Sequence, residues 1–361
     1  HSLRRRQRQM CIRDRYNSEC WYDLLIQNVV IEATQRTEYG IYNEYPYGVV
    51  IYNVTLIAPA STTTTSIAIY SYDGYSTYIR KCKILGGWDY GIYDEDMYCD
   101  CIAEGTEIIN ASTGIYLDYC EYTSIINTKI VNTSDVGLYV YDSSYVGILG
   151  TEVVGCGSGM YVEYSSGVVI DGCIVSNCAG PGIYLDPDSY DVNITNNQII
   201  RNGDYGIEVH STSAYVNVRG NVLAVNAQSP QAYDENGVGE WSGNYWSDWS
   251  GSGSYIFTDN SDDSPLPEPL PDLSCRAVYA PELVTGGGVV QVNVEVENKG
   301  YANVTDQPLR LYWSEPANFT QAPFTWLDLD ATSATGVDEG DVLEDYGNYT
   351  IYGDDEYFIY K

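Results

Sequence analysis

The feature that most constrains this chain is an internal repeat of about 23 residues. The pentapeptide GIYLD occurs twice, at residues 114–118 and 182–186, and weaker copies surround it. The eight copies begin at residues 40, 68, 91, 114, 137, 159, 182 and 206, so the steps are 28, 23, 23, 23, 22, 23 and 24 residues. A narrow period of this length is typical of solenoid proteins, in which each repeat buries its apolar face against its neighbours.

The residues inside each repeat indicate which solenoid it is. Positions one and three after the leading glycine are mostly aliphatic, as in Ile115 and Leu117, and this alternation predicts a short strand with one buried face. A second alternating run follows about ten residues later. It contains a column made mostly of Gly and Asn, the residues that adopt a left-handed backbone at least cost: Asn53, Lys81, Gly105, Asn127, Gly150, Gly172, Asn196 and Gly220.

These patterns favour one fold class. Leucine-rich repeats need a frame of leucines that this sequence lacks, and helical repeats do not tolerate its β-branched, aromatic and glycine content. We therefore predict an all-β chain with a right-handed, single-stranded parallel β-helix over residues 16–228. About eight coils of 22–24 residues are recognisable in it.

The amino-terminal segment does not follow the repeat. Residues 1–15 carry six of the 17 Lys and Arg residues and resemble translated sequencing-adapter read-through. We expect them to be non-native or disordered, and the alternative is a basic arm that binds anionic polymers. Without this segment, which also holds Asp14, the formal charge changes from −33 to −38. So acidic a chain is not expected to bind nucleic acid through its phosphates.

Several features bear on location. No run of 18 apolar residues predicts a membrane span. The acidic composition, the low Lys content and seven N-x-[ST] glycosylation sequons favour an extracellular or cell-surface glycoprotein, with the periplasm as an alternative. Because the native amino terminus is expected to be missing, a signal peptide would not be visible. The sequons lie at Asn53, Asn110, Asn132, Asn193, Asn303, Asn318 and Asn348.

The cysteines and histidines give little indication of a metal centre. Cys156 and Cys178 occupy the same position in adjacent coils, so they are expected to stack as buried thiols, or as a disulfide in an oxidising compartment. The pair Cys99 and Cys101 lacks a second ligand pair at a spacing that suits zinc. The two His and three Met residues are not clustered as a copper site would require.

Residues 229–263 are rich in Trp, Asp and Gly and are predicted to cap the open end of the β-helix. Their GNYWSDW motif, residues 243–249, resembles the GNYWSDY signature that ends the β-helix of NosD-like carbohydrate-binding and sugar-hydrolysis proteins. The resemblance covers residues 38–265 and implies a β-helix that interacts with carbohydrate, in a group whose functions are mixed. The Asp- and Gly-rich segment that follows in the family is replaced here by SGSGSYIFTDNSDDSP.

A second domain is predicted after a Pro-rich linker at residues 264–274. The alternation V-x-V-x-V-x-V at residues 290–296, followed by the turn residues Asn298, Lys299 and Gly300, predicts an antiparallel strand. Residues 275–361 resemble the cell-adhesion-related CARDB domain. The resemblance implies an immunoglobulin-like β-sandwich, which we expect to be truncated at the end of this chain.

Because coils of a β-helix stack about 4.8 Å apart, residues at equal offsets form columns. The second offset after the leading glycine gives Tyr42, Tyr70, Tyr93, Tyr116, Tyr139, Tyr161, Tyr184 and Glu208. The fourth offset gives Glu44, Tyr72, Glu95, Asp118, Tyr141, Glu163, Asp186 and His210. Both columns are predicted to face outward on the same side of the β-helix.

These columns supply the candidate binding residues. We predict that Tyr93, Tyr116, Tyr139, Tyr161 and Tyr184 bind carbohydrate, and the alternative is an aromatic ladder that only stabilises the stack. Glu95 and Asp118, like Glu163 and Asp186, would lie close enough to repel each other unless a cation such as Ca²⁺ binds between them.

The functional prediction follows from this strip. We predict a non-catalytic extracellular or cell-surface protein that binds a polysaccharide or cell-surface glycan, or mediates adhesion to other surface proteins. The alternative is a polysaccharide lyase, epimerase or glycoside hydrolase, for which Asp186, Asp188 and His210 are the candidate catalytic residues because they combine carboxylates with a base.

Overall fold

The computed structural model describes residues 24–33, 37–58, 65–103, 105–210 and 214–269, and beyond residue 269 the backbone of strand segments only. The expected non-native segment at residues 1–15 lies outside the described residues. The chain forms two compact units, of which the first ends at Pro267 and the second begins at Glu268. In the described part of the chain, no helix is long and apolar enough to cross a membrane.

The first unit is a parallel β-helix of about nine turns. Every coil contributes strands that pair in parallel with those of the next coil, and they build an 18-stranded and a 10-stranded sheet. The register follows the repeat, because Ile115 pairs with Ile92 of the preceding coil and with Leu138 of the following coil. The period in the sequence is therefore the length of one coil, and the predicted parallel β-helix is confirmed.

A coil that is described in full has three strands, which we call first, second and third. The first strands are Tyr39–Glu44, Ile67–Arg80, Tyr90–Tyr98, Thr113–Asp118, Val136–Tyr141, Ser158–Glu163, Ile183–Leu185, Ile207–Val209 and Ala232–Asp234. The second strands are Leu25–Gln27, Tyr47–Tyr52, Cys101–Ala103, Ser124–Ile126, Gly147–Leu149, Val169–Asp171, Tyr190–Thr195, Ala214–Arg219 and Gly239–Ser242; in the coil of Ile67–Arg80 the first and second strands are continuous. The third strands are Val30–Glu32, Thr55–Ile57, Lys83–Leu85, Glu107–Ile109, Lys129–Val131, Glu152–Val154, Ile174–Ser176, Gln198–Ile200, Val222–Ala224 and Tyr245–Trp246.

The interior of the β-helix is a set of stacked aliphatic columns. One column runs through Ile92, Ile115, Leu138, Met160 and Ile183, and every member is fully buried. Buried thiols extend this interior, since Cys156 and Cys178 are free, buried and in contact with each other. Removal of this apolar surface from water is the main stabilising contribution to the stack.

The predicted column of mostly Gly and Asn residues is confirmed. All eight residues from Asn53 to Gly220 in that column have positive φ angles, between 47° and 71°, at the bend between the second and third strands. Residues with positive φ also flank the bend between the first and second strands, as Tyr119 and Tyr122 do in one coil and Asp142 and Tyr145 in the next. Each coil therefore turns at left-handed residues, and that is why Gly, Asn and Asp recur at fixed offsets.

The end of the β-helix differs from the prediction. Ala232–Asp234, Gly239–Ser242 and Tyr245–Trp246 pair in register with the preceding coil, so the boundary placed at residue 228 is too early by one coil. A short 3₁₀ helix, Glu235–Gly237, lies within this last coil. The hairpin Tyr255–Phe257 and Asn260–Asp262 follows it, and Trp246 stacks on Tyr255 with ring centroids 4.1 Å apart. The GNYWSDW motif thus contributes the last third strand as well as the cap.

The second unit is all-β where it is described. Leu273–Tyr279, Val289–Asn298 and Val342–Thr350 form an antiparallel sheet, which confirms the antiparallel strand predicted at residues 290–296. Two further antiparallel pairs are Val284–Thr285 with Glu356–Tyr357, and Gln307–Trp313 with Thr325–Ala334. The immunoglobulin-like sandwich and the CARDB resemblance stay predictions.

Candidate functional site

The outer face of the first strands carries the predicted tyrosine column. Tyr70, Tyr93, Tyr116, Tyr139, Tyr161 and Tyr184 pair in register from coil to coil. Neighbouring rings from Tyr42 to Tyr184 have centroids 4.3 to 5.4 Å apart. The rings are half-buried, and most adjacent pairs meet edge to face, an arrangement that stabilises aromatic pairs.

The hydroxyl groups of this column reach the acidic column of the next coil. Tyr93 donates to Asp118 at 3.0 Å and Tyr161 lies 3.5 Å from Asp186, while Tyr70 donates to Glu95 and Tyr139 to Glu163. Burial and the neighbouring carboxylates raise the pKa of these tyrosines above the usual value of 10.0. The four acidic residues predicted as calcium ligands therefore already accept phenol hydrogen bonds.

These contacts favour the alternative interpretation of the tyrosine column, in which it is an aromatic ladder that stabilises the stack. Its five predicted carbohydrate-binding tyrosines are brought together on one face as expected, but their rings are half-buried and at least three of their hydroxyls face carboxylates. The described residues contain no group of three or more His, Cys, Asp or Glu side chains that could hold a metal ion. Calcium binding by Glu95, Asp118, Glu163 and Asp186 stays a prediction.

A second tyrosine column, which the sequence reasoning missed, lies at the bend between the first and second strands. We call it the corner column; its members are Tyr47, Tyr75, Tyr98, Tyr122 and Tyr145. Consecutive ring centroids are 5.6, 5.0, 5.2 and 4.9 Å apart, and the side chains are 37 to 57% exposed. The sequence signal was a tyrosine seven or eight residues after the leading glycine.

Several exposed tyrosines at this bend have an unfavourable, left-handed backbone conformation. Tyr45, Tyr119, Tyr122, Tyr145, Tyr164 and Tyr215 have φ angles between 50° and 57°, and we call them the left-handed tyrosines. Their exposed fractions range from 46 to 82%. A non-glycine residue in this conformation costs about 1 kcal/mol or more, and an exposed ring recovers little of this by burial. Gly48 and Gly167 occupy the position of Tyr122 and Tyr145 in other coils, so the fold accepts glycine there.

The charge around the tyrosines is negative. Asp73, Asp96 and Asp142 take the left-handed position five residues after the start of the repeat, which Tyr45, Tyr119 and Tyr164 occupy in other coils. None of the described residues at the second, fourth and fifth positions after the leading glycine is Lys or Arg. Two of the described lysines lie instead on third strands, where Lys83 and Lys129 pair with Glu107 and Glu152. The tyrosine-bearing surface therefore combines aromatic rings with carboxylates.

The candidate catalytic residues lie at the far end of the two predicted columns. His210 is held between Glu208, at 2.8 Å from its Nε2 atom, and Glu235, at 3.3 Å from its Nδ1 atom. Its ring lies 4.9 Å from that of Tyr184 and 5.5 Å from that of Tyr233. Burial raises the pKa of the Glu208 carboxyl.

The predicted trio is therefore only partly assembled. Asp186 lies one coil before His210 and interacts with it electrostatically, and Asp188 interacts with Asp186 from an exposed bend. The carboxylates within hydrogen-bonding distance of His210 are Glu208 and Glu235, which were not predicted. Glu235 could have been found, because it is the next member of the fourth-offset column once the additional coil is recognised.

Comparisons with known proteins agree with this architecture. A family model described as "Right handed beta helix region" matches residues 10–144 and 99–261, which together span more than half of the chain. No curated protein sequence matches.

Similar solved structures were also found. Full-length tailspike protein 2 from Escherichia coli O157:H7 bacteriophage CAB120 is 13% identical with a TM-score of 0.50, covering 88% of this chain and 55% of its own. The Azotobacter vinelandii mannuronan C-5 epimerase AlgE6 A-module is 13% identical with a TM-score of 0.46, covering 66% and 81%. Pectate lyase Pel9A is 13% identical with a TM-score of 0.43, covering 68% and 80%. At such identity the similarity to the tailspike protein shows the fold alone.

Proposed function

The chain belongs to the right-handed β-helix family, and on this scaffold we propose a non-catalytic extracellular or cell-surface protein that binds a polysaccharide along its tyrosine-rich bend. The observation that carries the proposal is the set of left-handed tyrosines. Neither backbone preference nor burial explains a bulky exposed ring at positive φ, and such strain is characteristic of functional positions.

The chemistry of the surface suits a sugar chain. A tyrosine ring offers a rigid apolar face for the C–H side of a pyranose and a hydroxyl for hydrogen bonding. The adjacent carboxylates of Asp96 and Asp142 accept hydrogen bonds from sugar hydroxyls. Because this arrangement repeats with every coil, the preferred ligand is a linear chain with many similar units.

The negative charge of the protein indicates which class of glycan it can bind. The chain has a formal charge of −33, and the described first-strand positions that carry the columns hold no Lys or Arg. A polyanionic glycan would be repelled unless cations were bound with it. We therefore propose a neutral or amine-bearing polysaccharide as the ligand.

A panel of soluble polysaccharides tests this proposal. In affinity electrophoresis, neutral or amine-bearing chains in the gel should retard the wild-type protein, and uronate-rich chains should not. A variant with Tyr98, Tyr122 and Tyr145 replaced by Ala should migrate without retardation, whereas Tyr78→Ala, an exposed second-strand tyrosine outside these columns, should behave as wild type. Equal migration of wild type and triple variant throughout the panel would contradict the proposal.

A second candidate function rests on His210. An imidazole between two carboxylates and beside Tyr184 and Tyr233 combines groups that can take and give protons, as a polysaccharide lyase or epimerase requires. If the protein is such an enzyme, a polysaccharide from the panel should yield unsaturated, epimerised or shortened products. His210→Ala should abolish them while leaving retardation in the gel unchanged. Absence of products from wild type across the panel would exclude this function for those substrates.

A further inference from the structure

Two carboxyl groups are enclosed in the interior of the coils. Asp94 is fully buried and Asp100 is 2% exposed, and the two side chains contact each other. Their neighbours in the stack are the buried hydroxyls of Ser71, Thr77 and Thr123. Burial raises the pKa of both carboxyls, which shows how poorly this interior accommodates negative charge on its own.

The fold itself does not need acids at these positions. The column of Asp94 continues with Leu117, Val140, Val162 and Leu185 in the following coils. The column of Asp100 continues with Thr123, then Val146 and Val168. All of these aliphatic residues are fully or almost fully buried, so the same scaffold closes around aliphatic side chains alone.

Several buried oxygen atoms in this cluster lack a partner. Among the described residues, no hydrogen bond of acceptable geometry reaches either carboxylate oxygen of Asp94, the Oδ2 atom of Asp100, or the hydroxyls of Thr77 and Thr123. The other oxygen of Asp100 accepts a hydrogen bond of 2.6 Å from the Thr77 backbone N–H. Buried polar atoms without partners are rare, and a bound ion that contacts several of them at once is one physical explanation for such a cluster.

Another interior aspartate, Asp234, has a full set of hydrogen-bond donors and serves as a comparison. Asp234 occupies the Asp94 column in the last coil and is also fully buried. Its oxygens accept hydrogen bonds from the Val238 and Gly239 backbone N–H groups at 3.0 and 2.9 Å. Trp241 Nε1 and Asn260 Nδ2 donate to it at 2.8 and 2.7 Å. Asp94 has no comparable set of donors.

We propose that Asp94 and Asp100, with the hydroxyls of Thr77 and Thr123, form an internal binding site for a hard divalent cation of the Ca²⁺ class. Calcium takes six to eight oxygen ligands and prefers carboxylates among them. The Ser71 hydroxyl beside Asp94 adds a further oxygen. The Cys120 thiol belongs to the surroundings and not to the ligand set, since it donates to the carbonyl oxygens of Asp94 and Asp118 at 3.2 and 3.6 Å.

The site is independent of the glycan surface and of the acidic column. Asp94 is fully buried, so the cation enters when the coils form or open, not by diffusion to a finished surface. Calcium bound only by the folded state would stabilise that state by RT ln(1 + [L]/Kd), where [L] is the free calcium concentration. Binding is therefore tested by refolding and not by soaking.

The experiment uses the full chain, unfolded in guanidinium chloride with EGTA and refolded into CaCl₂, MgCl₂, NaCl or EGTA. After gel filtration into metal-free buffer, the calcium-refolded protein should retain one Ca²⁺ per chain by atomic absorption. In a separate melt with free calcium at about 100 times its Kd, the calcium-refolded protein should unfold roughly 5 to 10 °C above EGTA-refolded protein melted in EGTA.

Two variants locate the effect. Asp94→Leu with Asp100→Val introduces the residue types of later coils and should remove both the retained calcium and the calcium-dependent shift. Glu163→Gln with Asp186→Asn changes the surface column and should leave both intact. If wild-type protein retains no calcium and melts at one temperature in calcium and in EGTA, the proposal is wrong, whether or not the interior variant folds. Retention of calcium by a folded interior variant would also overturn it.

Discussion

The hydroxyl of Tyr93 donates a 3.0 Å hydrogen bond to the carboxylate of Asp118, which lies one coil further along the β-helix. The pair joins two columns that are parallel along the stack but displaced by two residues along the strand. Asp118 thereby gains a donor, although its other oxygen is buried without a hydrogen-bond partner among the described residues. The hydrogen bond from the phenol thus stabilises a half-buried carboxylate in a chain with excess negative charge.

Loss of this phenol should destabilise the β-helix. Tyr93→Phe keeps the ring contact with Tyr116 but leaves the Asp118 carboxylate without its donor, and an unsatisfied buried acceptor costs about 1–3 kcal/mol. Because this site is only partly buried, we expect a loss near the lower end of that range in urea unfolding. Tyr98→Phe in the exposed corner column is the control and should change the unfolding free energy by less than about 0.5 kcal/mol. Equal effects of the two variants would contradict the role of the hydrogen bond.

The tyrosine ladder should also define an alkaline limit of stability. Burial, hydrogen bonding and adjacent charges raise the pKa of Tyr70, Tyr93, Tyr139 and Tyr161 above 10.0 in the folded state, whereas unfolded tyrosines ionise near that value. Their stabilising contribution is therefore complete below about pH 10 and is lost as the pH rises towards the folded-state pKa values.

Tyrosinate absorbance and circular dichroism, followed together, measure this limit. A group of tyrosines should ionise only when the β-structure is lost. Complete ionisation of all tyrosines near pH 10 with the fold retained would show that the folded-state pKa values are not raised.

The glycine that leads the repeat at residue 114 should not tolerate a side chain, although the repeat at residue 68 has a buried alanine at this position. A Cβ atom on Gly114 would lie 2.3 Å from the carbonyl oxygen of Gly137 in the next coil. Gly114→Ala must therefore push adjacent coils apart, and we expect a loss of about 1–3 kcal/mol, as for an overpacked interior. Gly147→Ala is the matched control, since no heavy atom lies within 4 Å of its added Cβ and its φ angle is not positive. Equal melting temperatures of the two variants would show that the close approach of adjacent coils at Gly114 is not needed for stability.

Backbone strain at the exposed tyrosines predicts a stabilising substitution. Tyr215 has a φ angle of 57° and is 82% exposed. Asparagine adopts this conformation more readily, so Tyr215→Asn should raise the unfolding free energy by up to about 1 kcal/mol. A clear decrease in stability would mean that this tyrosine is kept for packing and not for a ligand.

How far the sequence predicts this structure depends on whether a feature repeats at a constant offset. The coil period, the first-strand register and the column of mostly Gly and Asn residues from Asn53 to Gly220 all do, and they were predicted. The corner column of Tyr98 and Tyr122 was missed because its offset changes from seven to eight residues between those two coils.

Other features depend on contacts that periodicity does not reveal. The bond from Tyr93 to Asp118 is diagonal between two columns, so neither column indicates it. Asp94 occupies a position where the alternation predicts an aliphatic residue, and its partner Asp100 occupies a buried column that otherwise holds mostly Thr and Val. Nothing in the repeat therefore indicates a pair of carboxyl groups. The last coil was taken for a cap because its Trp, Gly and Asp residues replace the aliphatic pattern, although Trp241 and Trp246 fill the same interior.

The central claim is that exposed tyrosines at the bend between the first and second strands bind a polysaccharide. Isothermal titration with the polysaccharide that retards the wild-type protein most strongly tests it most directly. Removal of a central aromatic contact costs about 2 kcal/mol or more, so the variant with Tyr98, Tyr122 and Tyr145 replaced by Ala should bind at least roughly 30-fold more weakly. Tyr78→Ala should match the wild-type Kd, and circular dichroism should show all three proteins folded. A triple variant that is folded and binds with the wild-type Kd would contradict the account.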